Sequence, residues 1–207
     1  MSEKSEKLAN RSDKNCKFTE WRTPEYVLEM VRLYYGGDIP LDPATNSTNP
    51  TRAKLFFTEE DNGLIQPWDT GVFVNPPYGE DLQQWMIKIG TSSNNFNEIL
   101  ALLPTNRWST KYVHNYFYNE NHLKNMVVFD HRVGFVNAAG EAIKNNVYGS
   151  ILWGFNTDQD KFYECFEPFG TVFRLGVERR NVRTKKKSSR AKQRLASNRA
   201  GEREKGY

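Results

Sequence analysis

The chain has 207 residues, enough for one domain with a substantial core, and aromatic residues at 14% supply large side chains to fill it. Its longest apolar runs, such as residues 99–103, fall far short of the ~20 residues that a membrane-spanning helix needs, and Cys16 and Cys165 sit far apart without metal-ligand spacing, so a membrane protein, a zinc module and a disulfide scaffold are not expected. The net charge of +4 is unevenly spread: residues 179–207 hold 12 Lys/Arg against 2 Asp/Glu, and the 178 residues before them hold 17 against 23.

Residues 1–17 are polar and read as a flexible N-terminal segment, ahead of a folded domain at 18–178. After Thr23-Pro24, the apolar residues Val27, Met30, Val31 and Tyr34 recur at helical spacing, with Thr23 as the expected N-cap, Pro24 at the first helical position and Gly36-Gly37 as the stop. A short strand at 39–41 runs into Asp42-Pro43-Ala44, and a polar loop follows through Pro50. Residues 51–57 read as helical or irregular, Asp61-Asn62-Gly63 as a turn, and 71–74 as a buried strand that ends at Asn75-Pro76-Pro77-Tyr78. Leu82, Trp85, Met86 and Ile89 again mark a helix, and 99–103 the next buried strand, closed by Pro104. A helix near 110–118, a strand at 125–130 and a pair of strands at 150–155 and 171–175 complete the reading. Such alternation implies an α/β fold with a mostly parallel sheet flanked by helices, whose ligands bind where the strands end. Asp42, Asp61 and Asn75 all fall at such ends.

The tail at 179–207 has too few large apolar residues to offset its ordering entropy, so it is expected to be disordered alone. Its basic run, which includes Lys185, Lys186 and Lys187, suits a polyanion, although a solubilizing terminus would have the same composition.

Asn75-Pro76-Pro77-Tyr78 carries the chemistry. Two prolines cannot continue a central strand, so they fix a rigid turn at its end. A planar amine is a poor nucleophile because its lone pair is delocalized into its ring. The side-chain carbonyl of Asn75 and the backbone carbonyl of Pro76 can each accept one amine hydrogen, which draws nitrogen toward tetrahedral geometry and aims its lone pair at an electrophilic methyl. Tyr78 offers a flat face for an extruded base. No metal is required, and His114, His122 and His131 lack the pattern of zinc deaminases.

The ordered string Trp21…Thr23-Pro24…Leu41-Asp42-Pro43-Ala44…Asp61-Asn62-Gly63-Leu64…Trp68…Asn75-Pro76-Pro77-Tyr78-Gly79 resembles the phage-type DNA N-6-adenine methyltransferase (Dam) family over residues 18–175. That resemblance implies a Rossmann-like fold, S-adenosyl-L-methionine as cofactor and methyl transfer to the exocyclic N6 amine of adenine in DNA. It further implies that Asn75, Pro76, Pro77 and Tyr78 are catalytic. Trp21, Thr23, Pro24, Asp42, Pro43, Ala44, Asp61 and Asn75 would then bind the cofactor, with Asp42 facing its methionine amino group or ribose and Asp61 accepting from its adenine amine. The segment after Asp42 lacks the Gly-x-Gly loop of broader methyltransferases, and no ribose-binding acid is assigned. Arg107 and Trp108, Arg132, and Lys185 to Lys187 are candidates for DNA contact, with specificity supplied by short loops after Pro104 or at 132–146. A cytoplasmic monomer is expected, in the host-cell cytoplasm if the chain is phage-encoded. The tetrapeptide alone is also compatible with methylation of RNA or of protein glutamine, and the basic tail with a noncatalytic nucleic-acid binder on the same fold.

Overall fold

The computed structural model describes residues 21–118, 122–137, 139–143 and 148–175. Cys16, the N-terminal segment 1–17 and the basic tail 179–207 with Lys185, Lys186 and Lys187 lie outside the described residues.

Helix α1 (Glu25–Tyr35) turns Val27, Leu28, Met30, Val31 and Tyr34 inward and ends at Gly36, which takes the left-handed conformation at φ 76°. Its N-cap is Pro24, and no side chain caps it. Thr23 therefore does not fill the capping role expected of it, and its hydroxyl is engaged elsewhere. Strands β1 (Leu41–Asp42) and β2 (Leu55–Phe56) are short, β3 (Val72–Val74) is fully buried, and α2 (Leu82–Ser93) follows. Then come β4 (Ile99–Pro104) and a short helical turn, α3 (Lys111–Val113), that continues as a π-helical turn at His114–Tyr118. The remaining elements are β5 (Leu123–Phe129), β6 (Ser150–Phe155), α4 (Gln159–Phe166) and β7 (Gly170–Arg174).

The seven strands form one sheet in the order β2-β1-β3-β4-β6-β5-β7. The pairs β1–β2, β1–β3 and β3–β4 are parallel, whereas β4–β6, β6–β5 and β5–β7 are antiparallel. The α/β class holds, but the sheet is mixed and not mostly parallel. Helical segments link β4 to β5 and β6 to β7, but β6 inserts between β4 and β5 in the opposite direction and β7 runs opposite to β5 on the outer side, so each neighboring pair in this half is antiparallel. One face of the sheet, bearing Phe73, Leu100, Leu102, Val127 and Leu152, joins Val31, Tyr34, Phe162 and Phe166 of α1 and α4 in the main core. On the other face Trp153 and Phe155 of β6 meet Phe117 edge to face at 5.5 and 4.8 Å between ring centers. Gly90 of α2 packs so closely on the π-helical turn that a Cβ there would lie 2.6 Å from the Cβ of Tyr116. Among the described residues no helix is long and apolar enough to cross a membrane.

The sheet order decides where a site forms. The chain leaves β1 for β2 on one side and returns to β3 on the other, so the C-terminal ends of β1 and β3 diverge and open a crevice. Asp42 closes β1 and Asn75 follows β3 directly.

Candidate active site

A cavity of about 1060 Å³ opens in this crevice. Trp21 to Thr23, Asp42 to Ser47, Asn62 to Leu64 and Asn75 to Gly79 line it, together with Glu59, Glu60 and Phe135. Five segments that are remote in sequence thus meet at one sheet edge.

Asp42 is 3% exposed, its Oδ1 accepting from the Ala44 amide at 3.0 Å and its Oδ2 from the Thr51 hydroxyl at 2.8 Å. Burial pushes its carboxyl up from 3.8 to about 6, and these hydrogen bonds only partly oppose the shift. A carboxylate that desolvated is costly to ionize alone and is suited to meet a cation. The loop after it is tied to the next wall by a close approach: a Cβ on Gly63 would fall 1.9 Å from the carbonyl oxygen of Pro43. Trp68 fixes the same turn by donating its indole N–H to the Gly63 carbonyl at 3.0 Å, and Asn62 turns the chain at φ 52°.

Asn75 is the hinge of the geometry. Its Nδ2 donates to Thr23 Oγ1 at 3.0 Å, which leaves Oδ1 as an acceptor. Tyr78 is anchored through its hydroxyl, which donates to the Leu102 carbonyl at 3.2 Å, and burial pushes its phenol well above the ordinary range. Its ring stands edge-on to Phe135 at 5.9 Å, and Phe135 in turn packs on Trp21 at 5.8 Å, giving a row of three aromatics along the cavity. Phe135 is held there because Val136 pairs with Arg22 in both directions, at 2.8 and 3.1 Å.

The structure brings together Trp21, Thr23, Asp42, Pro43, Ala44, Asn75, Pro76, Pro77 and Tyr78 from among the expected site residues. Pro24 does not line the cavity; its carbonyl accepts from the amides of Val27 and Leu28 in α1. Asp61 stands apart as well. It is exposed, and its Oδ2 accepts from the amide and the hydroxyl of Thr58, both at 2.8 Å, which hold its carboxyl below the usual range. Its observed work is to close the 58–61 turn, while its neighbors Glu59, Glu60 and Asn62 face the cavity.

Arg107, Trp108 and Arg132 lie outside the cavity. Their loops leave the same sheet edge, since β4 ends at Pro104, β5 ends at Phe129 and Ser150 of β6 pairs with Pro104. Trp108 is 39% exposed and rests edge-on against Trp153, Arg132 is exposed, and Arg107 keeps a buried Nε without a hydrogen-bond partner. Sequence reasoning missed Arg22, Glu59, Glu60 and Phe135 as cavity residues. For Phe135 a signal existed in the alternation of buried Val133 and Phe135 with exposed Arg132 and Gly134. Among the described residues no group of three or more His, Cys, Asp or Glu side chains is placed to hold a metal.

Residues 11–186 match the family model described as DNA N-6-adenine-methyltransferase (Dam). No curated protein matches the chain.

Proposed function

The chain belongs to the DNA N-6-adenine-methyltransferase (Dam) family, and from that premise we propose that it transfers the methyl group of S-adenosylmethionine to the exocyclic N6 amine of adenine in DNA. The observation that carries this reading is the hydrogen bond from Asn75 Nδ2 to Thr23 Oγ1 in the lining of a switch-point cavity, which leaves Asn75 Oδ1 to accept from an amine.

The residues present fit the cofactor. The cavity, at about 1060 Å³, is slightly larger than the roughly 300–1,000 Å³ usual for ligand sites, which leaves room for a cofactor beside an extruded base. Buried Asp42 suits the ammonium of a methionine moiety, and Trp21, Pro43 and Ala44 add wall beside it. When bound, S-adenosylmethionine supplies an electrophilic methyl on a positively charged sulfur. Asn75 Oδ1 and the Pro76 carbonyl hold the two amine hydrogens, so the nitrogen lone pair points away from the base plane. Tyr78, fixed by its bond to Leu102, presents a ring to the base. Because these acceptors are placed before the substrate arrives, they stabilize the positive charge that grows on nitrogen without reorganizing. Trp108, Arg132 and the basic tail around Lys185, Lys186 and Lys187 engage the DNA backbone, which makes binding salt-sensitive and largely sequence-blind there.

The test is transfer of isotopically labeled methyl from S-adenosylmethionine to unmethylated duplex DNA, with RNA and protein offered in parallel and the products identified by mass spectrometry. Label in N6-methyladenine of DNA is expected. Label confined to RNA or to glutamine side chains overturns the substrate assignment, and no transfer to any acceptor overturns the enzymatic reading.

A further inference from the structure

Arg22 lines the cavity between Trp21 and Thr23, and its Nε is buried without a hydrogen-bond partner. No carboxylate pairs with its guanidinium among the described residues. Its backbone, by contrast, is fully used, donating to and accepting from Val136. A guanidinium kept partly desolvated and unpaired is costly, because its hydration is lost and nothing replaces it. The remaining charged residues of the lining, Asp42, Glu59, Glu60 and Asp81, are all acidic.

We propose that Arg22 is the anion anchor of the cavity and binds the carboxylate of the cofactor's methionine moiety through the planar fork of its guanidinium. The inference rests on the cofactor assignment made above. Two physical arguments choose a carboxylate on a small ligand over a DNA phosphate. First, four acidic side chains set against one arginine give the cavity a field that repels a polyanion but admits a molecule whose sulfonium and ammonium outweigh its one carboxylate. Second, Arg22 lines the cavity without a carboxylate partner among the described residues, and a flat two-oxygen acceptor matches a guanidinium edge bidentately. Arg22 and Asp42 thereby divide the ligand's zwitterionic end, the arginine taking its anion and the aspartate its cation.

The experiment is calorimetric binding of S-adenosylmethionine and of its decarboxylated analog to the full chain, as wild type, Arg22→Ala and Arg22→Lys. The backbone bridge to Val136 survives these substitutions, and circular dichroism verifies folding. Arg22→Ala should weaken S-adenosylmethionine by roughly 10- to 100-fold, the range for a hydrogen bond to a charged group, and leave the analog within about twofold. Arg22→Lys keeps the charge without the fork, and should fall between wild type and Arg22→Ala for S-adenosylmethionine alone. Equal losses for both ligands, or no loss for either, would overturn the assignment. So would unchanged cofactor affinity together with weakened binding of duplex DNA, which would give Arg22 to a phosphate. A wild type that binds S-adenosylmethionine while Arg22→Ala shows no selective loss refutes only this inference. A wild type that binds neither ligand refutes the cofactor assignment as well.

Discussion

Replacing Asp42 with Asn should make the ligand-free protein more stable while removing its grip on the cofactor. Burial raises the Asp42 carboxyl from 3.8 to about 6, so the folded chain binds this proton more tightly than the unfolded chain does. A raised folded value means that the stabilizing contribution is whole below about pH 4 and is lost as pH rises through about 6. Above that range the folded state carries the cost of a buried carboxylate. A difference of about two pH units corresponds to up to about 3 kcal/mol, or on the order of 5–10 °C in melting temperature for a domain of this size. The new amide can still accept from the Ala44 N–H, and Thr51 can turn its proton toward Asn49 Oδ1, which lies 3.2 Å away. Thermal melts of wild type and Asp42→Asn from pH 4.5 to 8 isolate the effect, because the other carboxylates cancel in the difference. The variant should gain most at pH 8, and the gap should close toward pH 4.5. S-adenosylmethionine should raise the melting temperature of wild type but not of the variant. A variant that is less stable at pH 8, or a gap that does not change with pH, would refute the reasoning.

Thr23→Val removes the acceptor of Asn75 Nδ2 while keeping the side-chain shape, so the amide can rotate and present the wrong end to the substrate. Loss of one such hydrogen bond, on the order of 1–2 kcal/mol, should lower kcat about 5- to 30-fold with little change in cofactor affinity, and Thr23→Ser should restore most of it; failure of the serine variant would point to the methyl group instead. Gly63→Ala would drive a Cβ into the Pro43 carbonyl, and urea unfolding should show a loss of about 1–3 kcal/mol accompanied by weaker cofactor binding. Tyr78→Phe keeps the ring but gives up the bond to Leu102, so it should stay within about tenfold of wild-type kcat, whereas Tyr78→Ala should raise the KM for DNA, since stacking on one base is worth roughly 1–3 kcal/mol.

Much of the site was legible in the sequence because strand ends announce themselves through residues that cannot continue a strand. Asn75-Pro76-Pro77 and Asp42-Pro43 are of this kind, and both border the cavity. Helix α1 was equally plain from its apolar spacing, but Thr23 before Pro24 carries a capping signal that the fold spends on Asn75 instead. Helix α4 passed unread although Phe162, Cys165 and Phe166 follow helical spacing and Asp158 accepts from two amides as its N-cap. It is short, and the hydrophobic pattern there is brief. The two-residue strand β2 was hidden because Leu55 is exposed and Phe56 half-buried at a sheet edge, so no burial pattern marks them. The antiparallel half of the sheet was illegible for another reason: the order β4-β6-β5-β7 depends on which partner each strand finds, and local patterning is blind to that choice. Asp61 sits in the motif expected of a ligand-binding acid, yet its oxygen is claimed by Thr58 three residues earlier, a local bond that sequence order alone does not rank against a distant ligand.

Single-turnover methylation of unmethylated duplex DNA by Asn75→Ala, with cofactor affinity measured on the same preparation, bears most directly on the role of Asn75. Loss of an acceptor that acts mainly in the transition state should slow transfer by on the order of 10²–10³-fold and leave the affinity for S-adenosylmethionine within about twofold. A variant that keeps more than about a tenth of the wild-type rate, or that loses cofactor binding in step with the rate, would contradict the assignment of Asn75 as the group that holds the adenine amine.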